Sequence, residues 1–279
     1  MTTDFRSAFN DAEAYEHYVG RWSKQVAHPF VQWLAVPPGQ RWLDVGAGTG
    51  ILTQVILDEA SPAAVTGLDF SAEYSAFARR RVQDGRAEFK VGDATAISFD
   101  PPPFDAAAAG LVLNFVPSPE DMVQGMMRAV RDGGVIAAYV WDYAGGMEMM
   151  RQFWDAAAAL DKAAAQEDSG PRFTICRPEN LLALFQNAGL EAVTVIPLDV
   201  ETRFRDFDDY WQPFYGAQGS VARYFRGLSD AMRDALRDQL RRQLPVEEDG
   251  SIPLRARAWA VKGRIPVSAY NHPNARAIR

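Results

Sequence analysis

A glycine-rich stretch, Arg41-Trp42-Leu43-Asp44-Val45-Gly46-Ala47-Gly48-Thr49-Gly50, sets the architecture of this chain. Its apolar beginning is typical of a buried strand that ends at Val45. The three alternate glycines allow a sharp turn that a ligand can approach closely. From Ile51 the apolar residues recur every three or four positions, which predicts a helix. Free backbone amides and the positive end of the helix dipole then point into one cleft, so the stretch predicts a binding site for a small molecule.

The alternation of strand and helix continues through the first half of the chain. Further strands are predicted at 64–69, 89–91, 104–115 and 135–141. Five alternations within residues 41–145 indicate a doubly wound parallel sheet. Ligands of such sheets bind outside the carboxyl ends of the strands. The residues predicted at that edge are the glycine turn, Asp69, Asp93, Asn114 and the pair Trp141-Asp142.

Asp69 ends the second predicted strand, 19 residues after Gly50. If the strands are parallel neighbours, its carboxylate lies beside the glycine turn and can accept hydrogen bonds from a ribose diol. Asp93 follows the third strand at the same edge. The sequence therefore predicts a nucleoside-containing ligand.

The second half is predicted to complete the sheet and to add a helical cap. Helices are predicted over 147–166, from Pro178 to about Gly189 and over 219–244, and long strands over 190–204 and 252–264. The fold class is therefore α/β, with a doubly wound, mostly parallel, seven-stranded sheet, an antiparallel last strand and a helical cap insertion. The predicted divisions are an N-terminal helical lid (1–40), a ligand-binding core (41–145), the rest of the sheet (146–265) with its insertion at about 206–245, and a tail (266–279).

Composition limits the classes of function. The net charge of −7 argues against general nucleic-acid binding. A lone cysteine, Cys176, excludes an intramolecular disulfide, and His17, His28 and His272 lack metal-ligand spacing, so no metal is predicted. We see neither a signal peptide nor an apolar run long enough to span a membrane. We therefore expect a cytoplasmic monomer or homodimer that does not bind membranes.

This constellation resembles the class I S-adenosylmethionine-dependent methyltransferases, in the small-molecule branch called type 11 or ubiquinone-biosynthesis-like. The resemblance covers roughly residues 10–200 and the last strand. It rests on Leu43-Asp44-Val45-Gly46-Ala47-Gly48-Thr49-Gly50, Leu68-Asp69, Gly92-Asp93-Ala94, Leu113-Asn114-Phe115-Val116-Pro117 and Ala188-Gly189-Leu190. It implies a Rossmann-like cofactor-binding core over 41–145, S-adenosyl-L-methionine as cofactor and S-adenosyl-L-homocysteine as product.

The resemblance also implies which residues bind the cofactor. The glycine turn, at Gly46, Ala47 and Gly48, would hold the amino acid portion of the cofactor. Asp69 would bind the ribose hydroxyls, with Phe70 against the adenine ring.

Six further cofactor contacts are implied. Asp93 would meet the adenine amino group, and Ala94 would donate its backbone amide. Asn114 and Phe115 would lie beside the methionine and the acceptor. Asp44 would orient the glycine turn or bind through water, and Arg21 would meet the cofactor carboxylate.

Seven aromatic residues are candidates for an acceptor pocket suited to a flat or apolar molecule, although core packing is the alternative for each. They are Tyr15, Tyr18, Trp141, Tyr143, Trp154, Trp211 and Phe214. The reaction would be in-line displacement at the methyl group, for which alignment and desolvation suffice. If an oxygen or carbon acceptor needs a base, the candidates are His17, Asp142 and Tyr143.

Two alternatives remain open on the sequence. A nicotinamide-dependent dehydrogenase would also use glycines followed by an acid, but Ile51 stands where its third glycine is expected. A non-catalytic regulator or scaffold that binds the same cofactor is the other.

Overall fold

The computed structural model describes residues 21–99, 102–168, 170–216 and 219–267, and within these ranges seven strands form one sheet. The strands are β1 (Arg41–Val45), β2 (Ala64–Asp69), β3 (Ala87–Val91), β4 (Phe104–Gly110), β5 (Val130–Trp141), β6 (Glu191–Phe204) and β7 (Ile252–Arg264). Their order in the sheet is β3-β2-β1-β4-β5-β7-β6.

Ten α-helices are found in the described ranges. They are α1 (Arg21–Leu34), α2 (Ile51–Glu59), α3 (Ala72–Arg81), α4 (Pro119–Ala129), α5 (Glu148–Leu160), α6 (Ala164–Glu167), α7 (Pro178–Asn187), α8 (Phe207–Trp211), α9 (Gly219–Gly227) and α10 (Asp230–Gln243). Short 3₁₀ helices lie at Gly170–Arg172, Thr174–Cys176 and Gln212–Tyr215. None of the helices in these ranges has the length and apolar character needed to cross a bilayer.

The strand directions confirm the predicted fold class. Strands β1 to β5 are parallel to one another, and β7 runs antiparallel to both β5 and β6. The chain first builds outward from β1 to β3 and then returns to place β4 on the other side of β1. This reversal between β1 and β4 is the point where doubly wound sheets bind their ligands.

Alternate residues of the central strands enter two separate hydrophobic cores. In β4, Ala106 and Ala108 belong to one core, whereas Ala107 and Ala109 belong to the other. The first core includes residues of α1, α2, α5 and the helices between β6 and β7, and the second includes residues of α4 and α7. Burial on both sides explains why β4 is an unbroken run of small and apolar residues.

Several predicted boundaries are wrong because polar side chains or backbone geometry end an element early. The strand predicted to reach Phe115 ends at Gly110, and Leu111 turns out of the sheet with φ at 61°. The helix predicted over 147–166 stops at Leu160, where the Asp161 carboxylate accepts a hydrogen bond from the backbone N–H of Ala163 at 2.9 Å. Such local side-chain bonds compete with helix continuation.

The helix predicted over 219–244 is two helices, α9 and α10. Ser229 separates them with extended backbone geometry, and its Oγ accepts a hydrogen bond from the backbone N–H of Met232 at 3.3 Å. Helices α8, α9 and α10 together occupy the predicted insertion. Of the predicted N-terminal lid, residues 1–20 lie outside the described ranges, and α1 packs on α2 and on β6.

A buried carboxyl joins β1 to α2 beneath the glycine turn. Asp44 is fully buried, and its Oδ2 accepts a hydrogen bond of 2.6 Å from the Thr53 hydroxyl. Its Oδ1 has no hydrogen-bond partner among the described residues. Burial raises the pKa of Asp44 to about 7, with a smaller contribution from the nearby Asp69, against the lowering effect of the Thr53 hydrogen bond.

Replacing Ser229 by alanine removes the side-chain cap of α10. The expected result is a loss of about 1 kcal/mol in the free energy of unfolding, measured by urea denaturation. Ser229→Asp keeps an accepting oxygen at the cap and is the matched control, with an expected stability close to that of the wild type. Equal losses in both variants would contradict a capping role.

The raised pKa of Asp44 gives a pH dependence with a definite sign. The folded state holds a proton that the unfolded state releases near pH 4, so the contribution of Asp44 to stability is complete below that pH and is lost as pH rises through about 7. Asp44→Asn keeps the shape of the side chain and cannot ionise. The difference in unfolding free energy, wild type minus variant, should fall by up to about 1.4 kcal/mol per pH unit between these limits. Parallel pH profiles in urea denaturation would refute the assignment.

Candidate functional site

A cavity of about 190 Å³ opens at the carboxyl edge of the sheet, at the reversal between β1 and β4. It is lined by Ser23, Gly46, Ala47, Gly48, Thr49, Ile51, Leu52, Leu68, Asp69, Phe70, Tyr74, Gly92, Asp93, Ala94, Gly110, Leu111, Val112, Phe115, Val116, Pro117 and Tyr139. The first five strands or the loops that follow them therefore contribute to one site, as predicted for parallel strands whose carboxyl ends meet at one edge of the sheet.

The glycine turn at the end of β1 is held in left-handed backbone conformations. Gly46, Gly48 and Gly50 have φ values of 73°, 53° and 83°. A Cβ atom on Gly46 would lie 2.4 Å from a methyl carbon of Val112, whereas one on Gly48 would meet only the Gly46 carbonyl oxygen, at 3.9 Å. Gly46 is thus required for packing, and Gly48 leaves open space in which a ligand can approach the backbone.

Gly50 has a packing role of its own. A Cβ atom there would lie 3.0 Å from Val82 and 3.2 Å from Ala78. The third glycine therefore lets α2 approach α3 closely. It does not line the cavity.

Asp69 connects the end of β2 to the glycine turn. Its Oδ2 accepts a hydrogen bond from the backbone N–H of Gly48, and its Oδ1 accepts one from that of Ser71, both at 2.9 Å. The residue is only 7% exposed, and burial raises the pKa of its carboxyl group against the lowering effect of the two amides. Each carboxylate oxygen has a further lone pair, so the cavity side of Asp69 can still accept hydrogen bonds from a diol.

Phe70 and Asp93 extend this half of the cavity. The Phe70 ring is 53% exposed although it lines the site, which is unusual for a large apolar side chain. Asp93 follows β3, and its Oδ1 accepts hydrogen bonds from the backbone N–H and the hydroxyl of Thr95 at 2.8 and 2.7 Å. This local turn presents Gly92, Asp93 and Ala94 to the cavity together.

The opposite half of the cavity is apolar. The loop after β4 contributes Leu111, Val112, Phe115, Val116 and Pro117 to the lining.

Asn114 lies in the same loop and is not itself a lining residue. Both polar atoms of its side-chain amide are buried without a hydrogen-bond partner among the described residues. An unpartnered buried amide costs free energy, so this group is a candidate for satisfaction by a ligand.

Most of the cofactor residues predicted from the sequence meet at this cavity. Those that line it are Gly46, Ala47, Gly48, Asp69, Phe70, Asp93, Ala94 and Phe115. Asp44 lies beneath the turn, where it can orient the backbone through Thr53. Residues Tyr15, His17 and Tyr18 and the side chain of Arg21 are outside the described part of the chain.

The structure does not bring four of the predicted acceptor residues to the cavity. Trp154, Trp211 and Phe214 pack in a buried aromatic cluster, where ring centroids lie 4.7 Å apart for Phe153 and Phe214 and 5.3 Å apart for Trp211 and Phe225. Trp141 is 1% exposed in the core and is likewise absent from the lining. We correct their assignment to core packing. The sequence pattern of a helix or strand predicts that an aromatic ring is buried, but it does not distinguish a ring in the core from one in a pocket.

The two remaining candidates near the fifth strand have local partners. Asp142 accepts a hydrogen bond from the backbone N–H of Gly145 at 3.1 Å, which shapes the turn after β5. The Tyr143 ring lies 5.3 Å from that of Phe173, and the Phe173 ring lies 6.2 Å from that of Phe115. Tyr143 is thus connected to the cavity through Phe173 and does not line it.

Several lining residues were not predicted as site residues, and among them Ser23, Tyr74 and Tyr139 carry hydroxyl groups. Tyr139 carries a detectable signal, since it is the one hydroxyl in the apolar run over 135–141, and buried phenols usually make a hydrogen bond. Ser23 and Tyr74 lie on helices and carry no such signal.

The described ranges show neither a metal-binding cluster nor a reactive thiol. They contain no group of three His, Cys, Asp or Glu side chains that could hold a metal ion. Cys176 is 2% exposed, and burial raises the pKa of its thiol to about 12, with a smaller contribution from Asp142. It behaves as a small buried residue.

Comparison with known proteins gives consistent matches. The family model of the type 11 methyltransferase domain matches residues 43–138. A 2-phytyl-1,4-naphtoquinone methyltransferase of Thermosynechococcus vestitus is 31% identical over 186 residues, which cover 63% of this chain and 81% of that protein. A phosphatidylethanolamine N-methyltransferase of Cereibacter sphaeroides is 32% identical over 165 residues, which cover 57% of this chain and 70% of that protein.

A solved structure has the same fold. Haemonchus contortus phosphoethanolamine N-methyltransferase 2, in complex with phosphomonomethylethanolamine and S-adenosylhomocysteine, superposes with a TM-score of 0.58 at 18% identity. The superposition covers 94% of this chain and 59% of that one.

Both sequence relatives are methyltransferases, and each is matched over more than two thirds of its own length. The family model spans the strands that carry the glycine turn, Asp69 and Asp93, on which the resemblance in the sequence is based. The resemblance is therefore confirmed, and the chain belongs to the type 11 family of class I S-adenosylmethionine-dependent methyltransferases.

Proposed function

We propose that this methyltransferase transfers a methyl group from S-adenosylmethionine to a small, uncharged molecule with a flat or apolar ring. The proposal rests on the division of the cavity into an acidic half, at β2 and β3, and an apolar half, at the loop after β4. The acidic half suits the cofactor, and the apolar half suits an acceptor without charge.

In the acidic half, each residue matches one part of the cofactor. The Asp69 carboxylate would accept hydrogen bonds from the ribose hydroxyls, and the exposed Phe70 ring would cover the adenine. Asp93 and the backbone of Ala94 would meet the adenine edge. The open space above Gly48 would hold the methionine portion of the cofactor.

The loop after β4 would separate the cofactor from the acceptor. We propose Phe115 as a contact of both, because it belongs to the apolar half and lines the same cavity as the glycine turn. Asn114 stays a proposed cofactor contact, since its buried amide needs hydrogen bonds that no described residue provides.

The charge of the lining side chains argues against a dinucleotide in this cavity. The charged side chains among its described lining residues are Asp69 and Asp93, both acidic. They would repel the diphosphate of a nicotinamide cofactor, whereas the sulfonium and ammonium groups of S-adenosylmethionine are cations. The packing of Gly50 against α3 also removes it from any role in approaching a diphosphate.

In the apolar half, the described lining residues carry no charge. Bringing an ammonium or phosphate group into such a place costs several kcal/mol unless a partner pairs with it. The acceptor therefore corresponds better to the naphthoquinone ring in the name of the T. vestitus relative than to the phosphomonomethylethanolamine bound in the Haemonchus structure.

The chain contributes alignment and exclusion of water. S-adenosylmethionine supplies an activated methyl group, so that the sulfur keeps the electron pair of the broken bond and the acceptor atom forms the new one. Gly46 and Gly48 set the direction of the donor, and Phe115, Val116 and Pro117 enclose the acceptor. Asp142, Tyr143 and His17 remain proposed candidates for removing a proton from the acceptor.

Three further properties stay predictions from the sequence, namely the cytoplasmic location, the monomeric or homodimeric state, and the lack of nucleic-acid or membrane partners.

Asp69→Ala is expected to weaken the binding of S-adenosylhomocysteine by about 1–3 kcal/mol, because charge-assisted hydrogen bonds to the ribose are lost. Asp69→Asn, which keeps the shape of the side chain and one accepting oxygen, should lose less. Isothermal titration calorimetry measures both variants. Asp199→Ala on β6, at the far edge of the sheet, is the control and should bind as the wild type does.

Calorimetry with NAD separates the enzyme classes in the same experiment. Tight binding of NAD together with no binding of S-adenosylhomocysteine would overturn the proposal, as would unchanged affinity in both Asp69 variants.

The acceptor class is tested by methyl transfer from S-adenosylmethionine labelled in its methyl group. We expect label to appear in 1,4-dihydroxynaphthalene and not in phosphoethanolamine, because the apolar half offers no partner for a charged group. Extraction into an organic phase followed by chromatography identifies the product. Transfer to phosphoethanolamine alone would contradict an uncharged acceptor.

A further inference from the structure

Tyr139 is a buried polar residue at the base of the cavity. It lies on β5, directly opposite Gly110 of β4 in the sheet register. The residue is only 2% exposed, yet it lines the cavity. Its side chain therefore faces the inside of the site and not the solvent.

The ring of Tyr139 is fixed from two sides. The Phe30 ring of α1 packs against it with 4.5 Å between centroids. On the other side, a Cβ atom on Gly110 would lie 2.6 Å from the Tyr139 Oη and 2.8 Å from its Cζ. Only a glycine at position 110 leaves this space, so the hydroxyl is held over the carboxyl end of β4.

The backbone at this point is anchored as well. The N–H of Leu111 donates a hydrogen bond of 2.8 Å to the carbonyl oxygen of Tyr139. Leu111, with its φ of 61°, then begins the loop that carries the apolar half of the cavity. Tyr139 is thus fixed relative to that loop.

Tyr139 differs from its surroundings in chemistry. On the side of the cavity formed by α1, the loop after β4 and β5, the described side chains with hydrogen-bonding groups are Ser23 and Tyr139, and both carry hydroxyls. A phenol donates one hydrogen bond and accepts others, so it can bind a carbonyl or hydroxyl oxygen while keeping another partner.

We propose that Tyr139 is a specificity-determining residue that positions an oxygen substituent of the acceptor ring, with Gly110 providing the space for its hydroxyl. This inference rests on the proposed function, since it requires an uncharged ring in the apolar half. It assigns to β5 a role in selecting ring molecules that carry a carbonyl or hydroxyl group over plain hydrocarbons.

The test compares two ring probes that differ in their oxygens, 2-methyl-1,4-naphthoquinone and 2-methylnaphthalene. Equilibrium dialysis in the presence of saturating S-adenosylhomocysteine gives the affinity of the full chain for each. Tyr139→Phe should weaken binding of the quinone about 3- to 10-fold relative to the hydrocarbon, as expected for one lost hydrogen bond. Gly110→Ala should act in the same direction, because its Cβ displaces the hydroxyl.

Tyr215→Phe is the matched control, because Tyr215 is 55% exposed and does not line the cavity. It should leave both affinities unchanged. Equal weakening of the two probes in Tyr139→Phe, or no change for either, would overturn the role of Tyr139 alone. If the wild type binds S-adenosylhomocysteine but neither probe, the proposed acceptor class fails and the role of Tyr139 fails with it.

Discussion

Two hydrogen bonds to a single carbonyl group tie the glycine turn to the neighbouring strand. The backbone N–H groups of Gly46 and Ala47 both donate to the carbonyl oxygen of Leu68, at 2.7 and 3.0 Å. The next residue, Asp69, receives the amide of Gly48 on its carboxylate. The turn and the acid are therefore one unit, and an acid at the end of β2 is needed for the shape of the turn as well as for a ligand.

This unit also explains the unusual state of Asp44. The tight turn lies above a buried strand end, where the Asp44 carboxyl is fully buried and has Thr53 as its hydrogen-bonding neighbour. Asp69 lies close enough to oppose its ionisation. The raised pKa of Asp44 is thus a result of how closely the turn is packed.

The sequence was sufficient for the order of elements and for predicting that the glycine turn, Asp69 and Asp93 meet at one edge of the sheet. Strand periodicity, alternate glycines and acids at strand ends are local signals, and the parallel sheet brings them to one edge without further information. The break at Ser229 and the early end of β4 could not be predicted in the same way, because each depends on a competition between local hydrogen bonds and apolar packing. For Trp154, Trp211 and Phe214 the sequence could not decide between a pocket and the core, since periodicity predicts that a ring is buried but not what covers it. Tyr139 was missed because its role depends on Gly110, which is 29 positions away and becomes its neighbour only in the sheet.

The position of β7 has a consequence for how the protein is made. It is the last strand of the described residues, yet it lies between β5 and β6 in the sheet. While the ribosome is still translating, β5 has an open hydrogen-bonding edge, and β6 has no strand to pair with until residues as far as Arg264 have emerged. Pairing of such distant segments is slow, and open strand edges are prone to aggregate. The sheet can therefore be completed only after Arg264 has emerged, and until then β5 keeps an edge with which another chain could pair.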